Sequence, residues 1–251
     1  MNRFARVTAF LLAGCQVKEA PPEPAPITEP SPPTITEPDE PREPATVKEH
    51  MKSHFAAVVA VERAIVRGRL ADAREGARAL LAHDEPAIEG GAPFVADMND
   101  AAAALIAAPD LPTAGTFAAA LGRTCSRCHE ATRAVIAFAW EPQPDPAPSL
   151  RVQMQRHQWA AARLWEGLVG PSDEMWRQGT EALAATELDA LAAGRGVARG
   201  DVDALAAQVR ELARSAATAG DGDARAALYG RLLSTCAGCH QLVRPEPVDA
   251  P

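Results

Sequence analysis

The pentapeptide Cys-Xaa-Xaa-Cys-His occurs twice in this chain, at residues 125–129 and 236–240. On a helix, cysteines at positions i and i+3 project from one face, and the histidine stands one turn after the first cysteine. Two thiols and one imidazole nitrogen can therefore hold the same flat cofactor. This spacing is typical of c-type haem attachment, in which the thiols become thioethers and the histidine binds the iron.

We therefore predict two covalently bound haems, each with its iron. Four thioether attachments and two proximal iron ligands are expected, namely Cys125, Cys128, Cys236 and Cys239 for the thioethers and His129 and His240 for the irons. A redox-active or structural disulfide and a zinc site also use Cys-Xaa-Xaa-Cys. Neither alternative explains a histidine repeated at the next position.

The motifs fall at the ends of two similar helical units. Apolar residues recur at three- and four-residue spacing, which predicts an all-α fold of two tandem four-helix bundles, at residues 47–140 and 150–245. Glycine and proline breaks place helices at 47–66, 70–83, 92–107 and 111–138, and then at 150–168, 172–193, 202–219 and 224–243. The units also share the pattern Met-Xaa-Xaa-His, at residues 51–54 and 154–157, so duplication is the simplest explanation.

Composition narrows the class of protein further. Aromatic residues make up only 4% of the chain, so a core of alanine and leucine has little bulk, which a buried haem would supply. The formal charge of −8 has the wrong sign for neutralising nucleic-acid phosphates, and we expect no nucleic-acid partner. No run of 18 apolar residues occurs that would predict a membrane-spanning helix.

The first residues resemble the signal of a bacterial lipoprotein. Residues 1–14 carry two arginines and a short apolar stretch, and residues 12–15, Leu-Ala-Gly-Cys, resemble a lipobox. The resemblance implies cleavage before Cys15 and acylation of Cys15, which would tether an exported protein to a membrane facing the periplasm or cell envelope. The alternative is that Cys15 is a free thiol in a soluble leader.

Two segments are predicted to be linkers. Residues 15–46 are rich in proline and glutamate and lack helical or strand periodicity, so they favour an extended spacer over a folded element. A proline-rich ligand for a recognition domain is the alternative. Residues 141–149 form a second proline-rich link between the bundles, and residues 246–251 are a tail.

A haem motif on the last helix of a four-helix bundle resembles the cytochrome c′ family and its low-spin relatives. The resemblance covers residues 47–140 and 150–245, and it rests on the motif, its position and the number of helices. It implies a distal ligand, often methionine, from the first helix of each bundle, or an apolar side chain that leaves the iron open. The candidates are Met51 or His54 for the first haem and Met154 or His157 for the second.

His50, His83 and Met98 have no counterpart in the second unit, and we interpret His50 as a surface residue. The leading hypothesis is a membrane-tethered dihaem cytochrome that passes single electrons between unidentified redox proteins. The alternative is a protein that binds NO or CO at an open iron. A dihaem peroxidase is disfavoured, because such enzymes carry the motif early in the domain, and no enzymatic activity is expected. The oligomeric state is left open.

Overall fold

Side chains that cap a helix N-terminus precede several of the described helices in the computed structural model. Thr46 and Glu49 form a reciprocal capping box, in which the Thr46 side chain accepts a hydrogen bond from the backbone N–H of Glu49. Asp110, Ser149 and Ser172 each accept a hydrogen bond from the backbone N–H three residues later. These caps fix where the helices begin.

The structure describes residues 46–147, 149–186 and 199–243. Within these ranges the regular elements are eight α-helices and no strands, so the all-α prediction is confirmed for the described part. The helices are α1 (Val47–Val66), α2 (Leu70–Leu81), α3 (Ala92–Ala107), α4 (Leu111–Thr132), α5 (Leu150–Val169), α6 (Asp173–Ala184), α7 (Arg199–Ala217) and α8 (Gly222–Val243). The predicted signal peptide, Cys15 and nearly all of the first linker lie outside the described residues, as does the tail.

Two helix ends differ from the prediction by six residues or more, and the other differences are three residues or fewer. The helix expected at 111–138 ends at Thr132, because Arg133 adopts the left-handed conformation with φ 54°. The backbone N–H of Ala134 then donates to the carbonyl of His129, which completes a Schellman motif. The helix expected at 172–193 ends at Ala184, and residues 187–198 lie outside the described part.

Helices that follow one another in sequence pack side by side within α1–α4 and within α5–α8. In each set the last helix also contacts the first. The two sets meet chiefly along α4 and α8. In addition, α1 contacts α8 and α5 contacts α4. All described helices belong to one compact unit, and the two helices that carry the motifs lie against each other.

The core is rich in alanine and leucine, with a few large side chains at the junction of the two sets. Trp165 and Tyr229 are 2% and 1% exposed and their rings stack with centroids 5.5 Å apart.

Among the described helices, none combines the length and the apolar character that a membrane span requires.

Candidate functional site

The first motif lies in the last two turns of α4, beside an open cleft. Cys125, Cys128 and His129 are half-buried and line this cleft, which is partly open to solvent. We call this space the α4 cavity.

The α4 cavity is lined by residues of the first helix set and the segment after it, and by Val169 of α5. The candidate distal ligands Met51 and His54 reach it from α1, and Met98 reaches it from α3. Ile136 and Phe138 also line it, because the chain leaves the helical path at Arg133 instead of continuing α4. The other lining residues are mostly apolar, namely Phe55, Val58, Leu80, Ile88, Gly91, Phe94, Val95 and Val169, with Glu85 and Thr124.

His129 is held by one ring nitrogen. Its Nδ1 lies 2.9 Å from the carbonyl oxygen of Val169, so Nδ1–H donates to that oxygen and Nε2 carries a lone pair. Burial lowers the pKa of His129, opposed by the hydrogen bond to Val169. A neutral imidazole oriented through one nitrogen is the arrangement in which histidines bind metals.

These features of the α4 cavity fit a c-type haem. Two thiols and a fixed imidazole stand on its wall, and its lining is mainly apolar. Cys125 and Cys128 are free thiols rather than a disulfide. Both are therefore available for thioether bonds.

The second motif lies in the last two turns of α8. Cys236 and Cys239 are buried free thiols, and His240 is half-buried. His157 on α5 is 7% exposed, and its Nδ1 is buried with no hydrogen-bond partner among the described residues. Burial, and then the nearby charge of His240, lowers the pKa of His157 to about 4. The predicted proximal and distal histidines of the second site are therefore neighbours.

The other distal candidate of the second unit has a different environment. Met154 is half-buried and packs against Val202 and Ala206 of α7, together with Leu242 of α8. These are apolar packing contacts. His157 is thus the distal candidate of the second unit whose buried ring nitrogen has no hydrogen-bond partner among the described residues.

The first unit contains a group of imidazoles that the sequence did not predict. His50 and His54 lie one turn apart on α1, with ring centroids separated by 4.1 Å. The His83 ring stacks on His54 at 4.9 Å. Glu85 follows α2 and reaches both α1 histidines, with Oε2 3.0 Å from His50 Nε2 and Oε1 2.9 Å from His54 Nε2. We call these four residues the imidazole cluster.

The interpretation of His50 as a surface residue is wrong. His50 is 8% exposed, because the turn after α2 folds over the start of α1 and places Glu85 against it. Sequence reasoning missed Glu85 and His83 for the same reason, since only the tertiary fold brings them to α1. The His-Xaa-Xaa-Xaa-His spacing of residues 50–54 was the one available signal, because it puts both rings on one helical face.

The chemistry of the cysteines argues against two alternatives. Reactive Cys-Xaa-Xaa-Cys pairs have lowered thiol pKa values. Here burial raises the pKa of Cys125 and of Cys236 to about 12. Among the described residues, neither motif brings three Cys, His or carboxylate ligand atoms within 4.8 Å of one another, as a zinc site would.

A comparison of the chain with models of protein families, with curated proteins and with solved structures found no match.

Proposed function

We propose that this chain is a dihaem c-type cytochrome that carries single electrons between redox partners. The observation that carries the proposal is the convergence of Cys125, Cys128 and His129 on one apolar cavity that also receives Met51 and His54. The second motif repeats the residue types on the neighbouring helix α8.

Bound haem would supply a one-electron Fe(III)/Fe(II) couple. Cys125 and Cys128 would hold the first haem, and Cys236 and Cys239 the second. Each thiol would form its thioether by addition to a vinyl group, with sulfur on one carbon and hydrogen on the other, so attachment would need no oxidant. His129 and His240 would be the proximal ligands, and the Val169 carbonyl keeps the Nε2 atom of His129 free for iron.

The two sites favour different distal ligands. The Nε2 atom of His54 lies 2.9 Å from Glu85 and the His54 ring stacks on His83, whereas Met51 lines the α4 cavity, so we assign Met51 to the first haem. His157 lies near His240, so we assign His157 to the second. A thioether ligand favours ferrous iron, so the first haem has the higher potential.

Localisation and partners form the remaining part of the proposal. Acylation of Cys15 would tether an exported chain to a membrane facing the periplasm or cell envelope, and the proline-rich segment would hold the haem domain away from the bilayer. The redox partners would then be proteins at the same membrane. Palmitate labelling of the wild type and its loss in Cys15→Ser are expected, and equal labelling of both would overturn the anchor.

The first experiment is a haem count with absorption spectra of the oxidised, reduced and CO-treated reduced protein after co-expression with a haem-attachment system. Two covalent haems per chain are expected, with one lost in Cys125→Ser/Cys128→Ser and the other lost in Cys236→Ser/Cys239→Ser. The reduced spectrum should not respond to CO, because both irons have six ligands. Absence of a Soret band would refute the haem proposal, and a CO response would favour gas binding instead.

Matched substitutions test the distal ligands. Met51→Ala should open the first haem to CO, and His54→Ala should not. At the second site, His157→Ala should give CO binding and Met154→Ala should not. The opposite pattern within either pair would exchange the assignment, and unchanged CO binding in all four variants would refute it.

A further inference from the structure

We propose that the imidazole cluster is a second kind of metal site, in which His50, His54 and Glu85 bind a divalent transition-metal ion such as Zn²⁺. This site is separate from both Cys-Xaa-Xaa-Cys-His motifs. It depends on the proposed function in one respect, namely that Met51 and not His54 binds the iron of the first haem.

The three ligand groups converge on one point. One atom from each of His50, His54 and Glu85 lies within 4.8 Å of the other two. Two ligands that share a zinc ion at about 2.0–2.2 Å stand at most ~4.4 Å apart. Small side-chain rotations therefore suffice to close the site, and no helix needs to move.

The fold holds these side chains in place before a metal arrives. His50 and His54 lie on one face of α1 at i and i+4, so the helix sets their separation. His83 stacks on His54 with an interplanar angle of 17° and limits the rotation of that ring. His83 thus stands beside the three ligands as a positioning residue.

The donor types indicate which metals the site would select. Two imidazole nitrogens and one carboxylate suit zinc, copper or nickel, whereas calcium and magnesium prefer sets made of oxygen atoms. The side chains of His50 and His54 are 9% and 11% exposed and that of Glu85 is 20% exposed, so solvent reaches the carboxylate from one side. An ion can enter from that side.

The site lies next to the first haem motif without including it. His54 and Glu85 both line the α4 cavity, which also contains Cys125 and Met51. A cation held there would place positive charge beside the proposed haem, and positive charge favours the reduced iron. Zinc should therefore raise the potential of the first haem more than that of the second.

The test is a zinc titration of the haem-loaded full chain by calorimetry. One tight zinc equivalent per chain is expected. His50→Ala and Glu85→Gln should each weaken zinc binding at least tenfold, while Glu89→Gln, an exposed carboxylate in the same loop, should leave the affinity unchanged. Far-UV circular dichroism of each variant checks that the helices remain folded.

Zinc X-ray absorption on the same samples identifies the ligands. A first shell of nitrogen and oxygen with two histidine signatures supports the site. No zinc uptake by the wild type, or uptake that neither His50→Ala nor Glu85→Gln weakens, would overturn it. If the chain takes up no haem during co-expression with the attachment system and its zinc shell contains sulfur, zinc occupies the cysteine motifs and the proposed function is refuted, so the two failures differ.

Discussion

Glu62 is a buried carboxyl group in the core of the molecule. It lies on α1, is 8% exposed, and accepts a hydrogen bond from the Tyr229 hydroxyl of α8 at 3.2 Å. Burial raises the pKa of Glu62 to about 7, and the hydrogen bond from Tyr229 and the charges of Arg63 and Arg67 oppose that shift. The native state therefore keeps this proton to a higher pH than the unfolded chain does.

This shift fixes the sign of a pH effect on stability. Between the ordinary pKa of 4.5 and the native value of about 7, the folded state binds a proton that the unfolded chain releases, so stability falls as pH rises. We predict that Glu62→Gln removes this loss. Between pH 5 and pH 8, the free energy of unfolding of the wild type should fall by about 2 kcal/mol more than that of the variant.

Urea denaturation of both proteins at pH 5 and pH 8 measures this difference. Glu89→Gln is the control, because Glu89 is exposed and should follow the wild-type pH dependence. A Glu62→Gln protein that loses stability with pH as the wild type does would show that Glu62 is ionised throughout this range.

At the scale of the helix, glycine has two distinct roles. Gly68 and Gly90 have φ values of 79° and 73°, which side-chain-bearing residues rarely adopt, and they lie between helices, where the sequence predicts glycine breaks. Gly179 lies inside α6, where glycine is unfavourable by intrinsic propensity. Glycine fits at this position because α6 crosses α5 closely there and leaves no room for a side chain.

We predict that Gly179→Ala destabilises the protein by roughly 1–3 kcal/mol through overpacking. An added Cβ would lie 2.7 Å from Cγ of Leu164 and 2.8 Å from the Ala160 carbonyl oxygen, and the backbone of α5 cannot yield as a flexible side chain would. Gly200→Ala, whose Cβ would meet no atom within 4 Å, should be neutral or slightly stabilising. Thermal unfolding compares them, and equal midpoints for the two variants would contradict the close α5–α6 crossing.

These elements show which features a sequence can predict. The starts of α1, α4 and α5 follow from local capping side chains, and helix class follows from spacing, because both are properties of a few adjacent residues. The end of α4 was predicted six residues too late, since residues 134–138 keep an apolar character. Ile136 and Phe138 are apolar because they line the α4 cavity, which is a tertiary property.

The candidate site divides in the same way. Both cysteine motifs and the Met-Xaa-Xaa-His pairs were identified from spacing alone, because their residues share one helix. Glu85 and His83 were missed, since they approach α1 only after α2 has turned back along it. The choice between Met51 and His54 likewise depends on what Glu85 contacts, which no local pattern shows.

At the scale of the whole molecule, the main junction is the packing of α4 on α8. Gly115 and Gly230 allow close backbone approach there, because a Cβ at Gly230 would lie 3.2 Å from the Cα of Thr116 and 3.3 Å from the Gly115 oxygen. Arg123 on α4 also donates to Asp223 on α8 at 2.8 Å. The helices that carry the two motifs therefore share one interface.

This junction predicts cooperative unfolding of the two helix sets. Trp165 of α5 packs against Gly122 of α4, and the Tyr229 hydroxyl of α8 donates a hydrogen bond to Glu62 of α1. Neither set therefore keeps its core when the other unfolds.

The haem-loaded chain should show one urea transition, with the same midpoint by far-UV circular dichroism and by tryptophan fluorescence. The four tryptophans all follow α4 in sequence, so fluorescence reports on the second set while dichroism reports on both. The dichroism transition could instead have two steps, only one of which coincides with the fluorescence change. That result would show that α1–α4 and α5–α8 unfold independently and that the α4–α8 interface contributes little to stability.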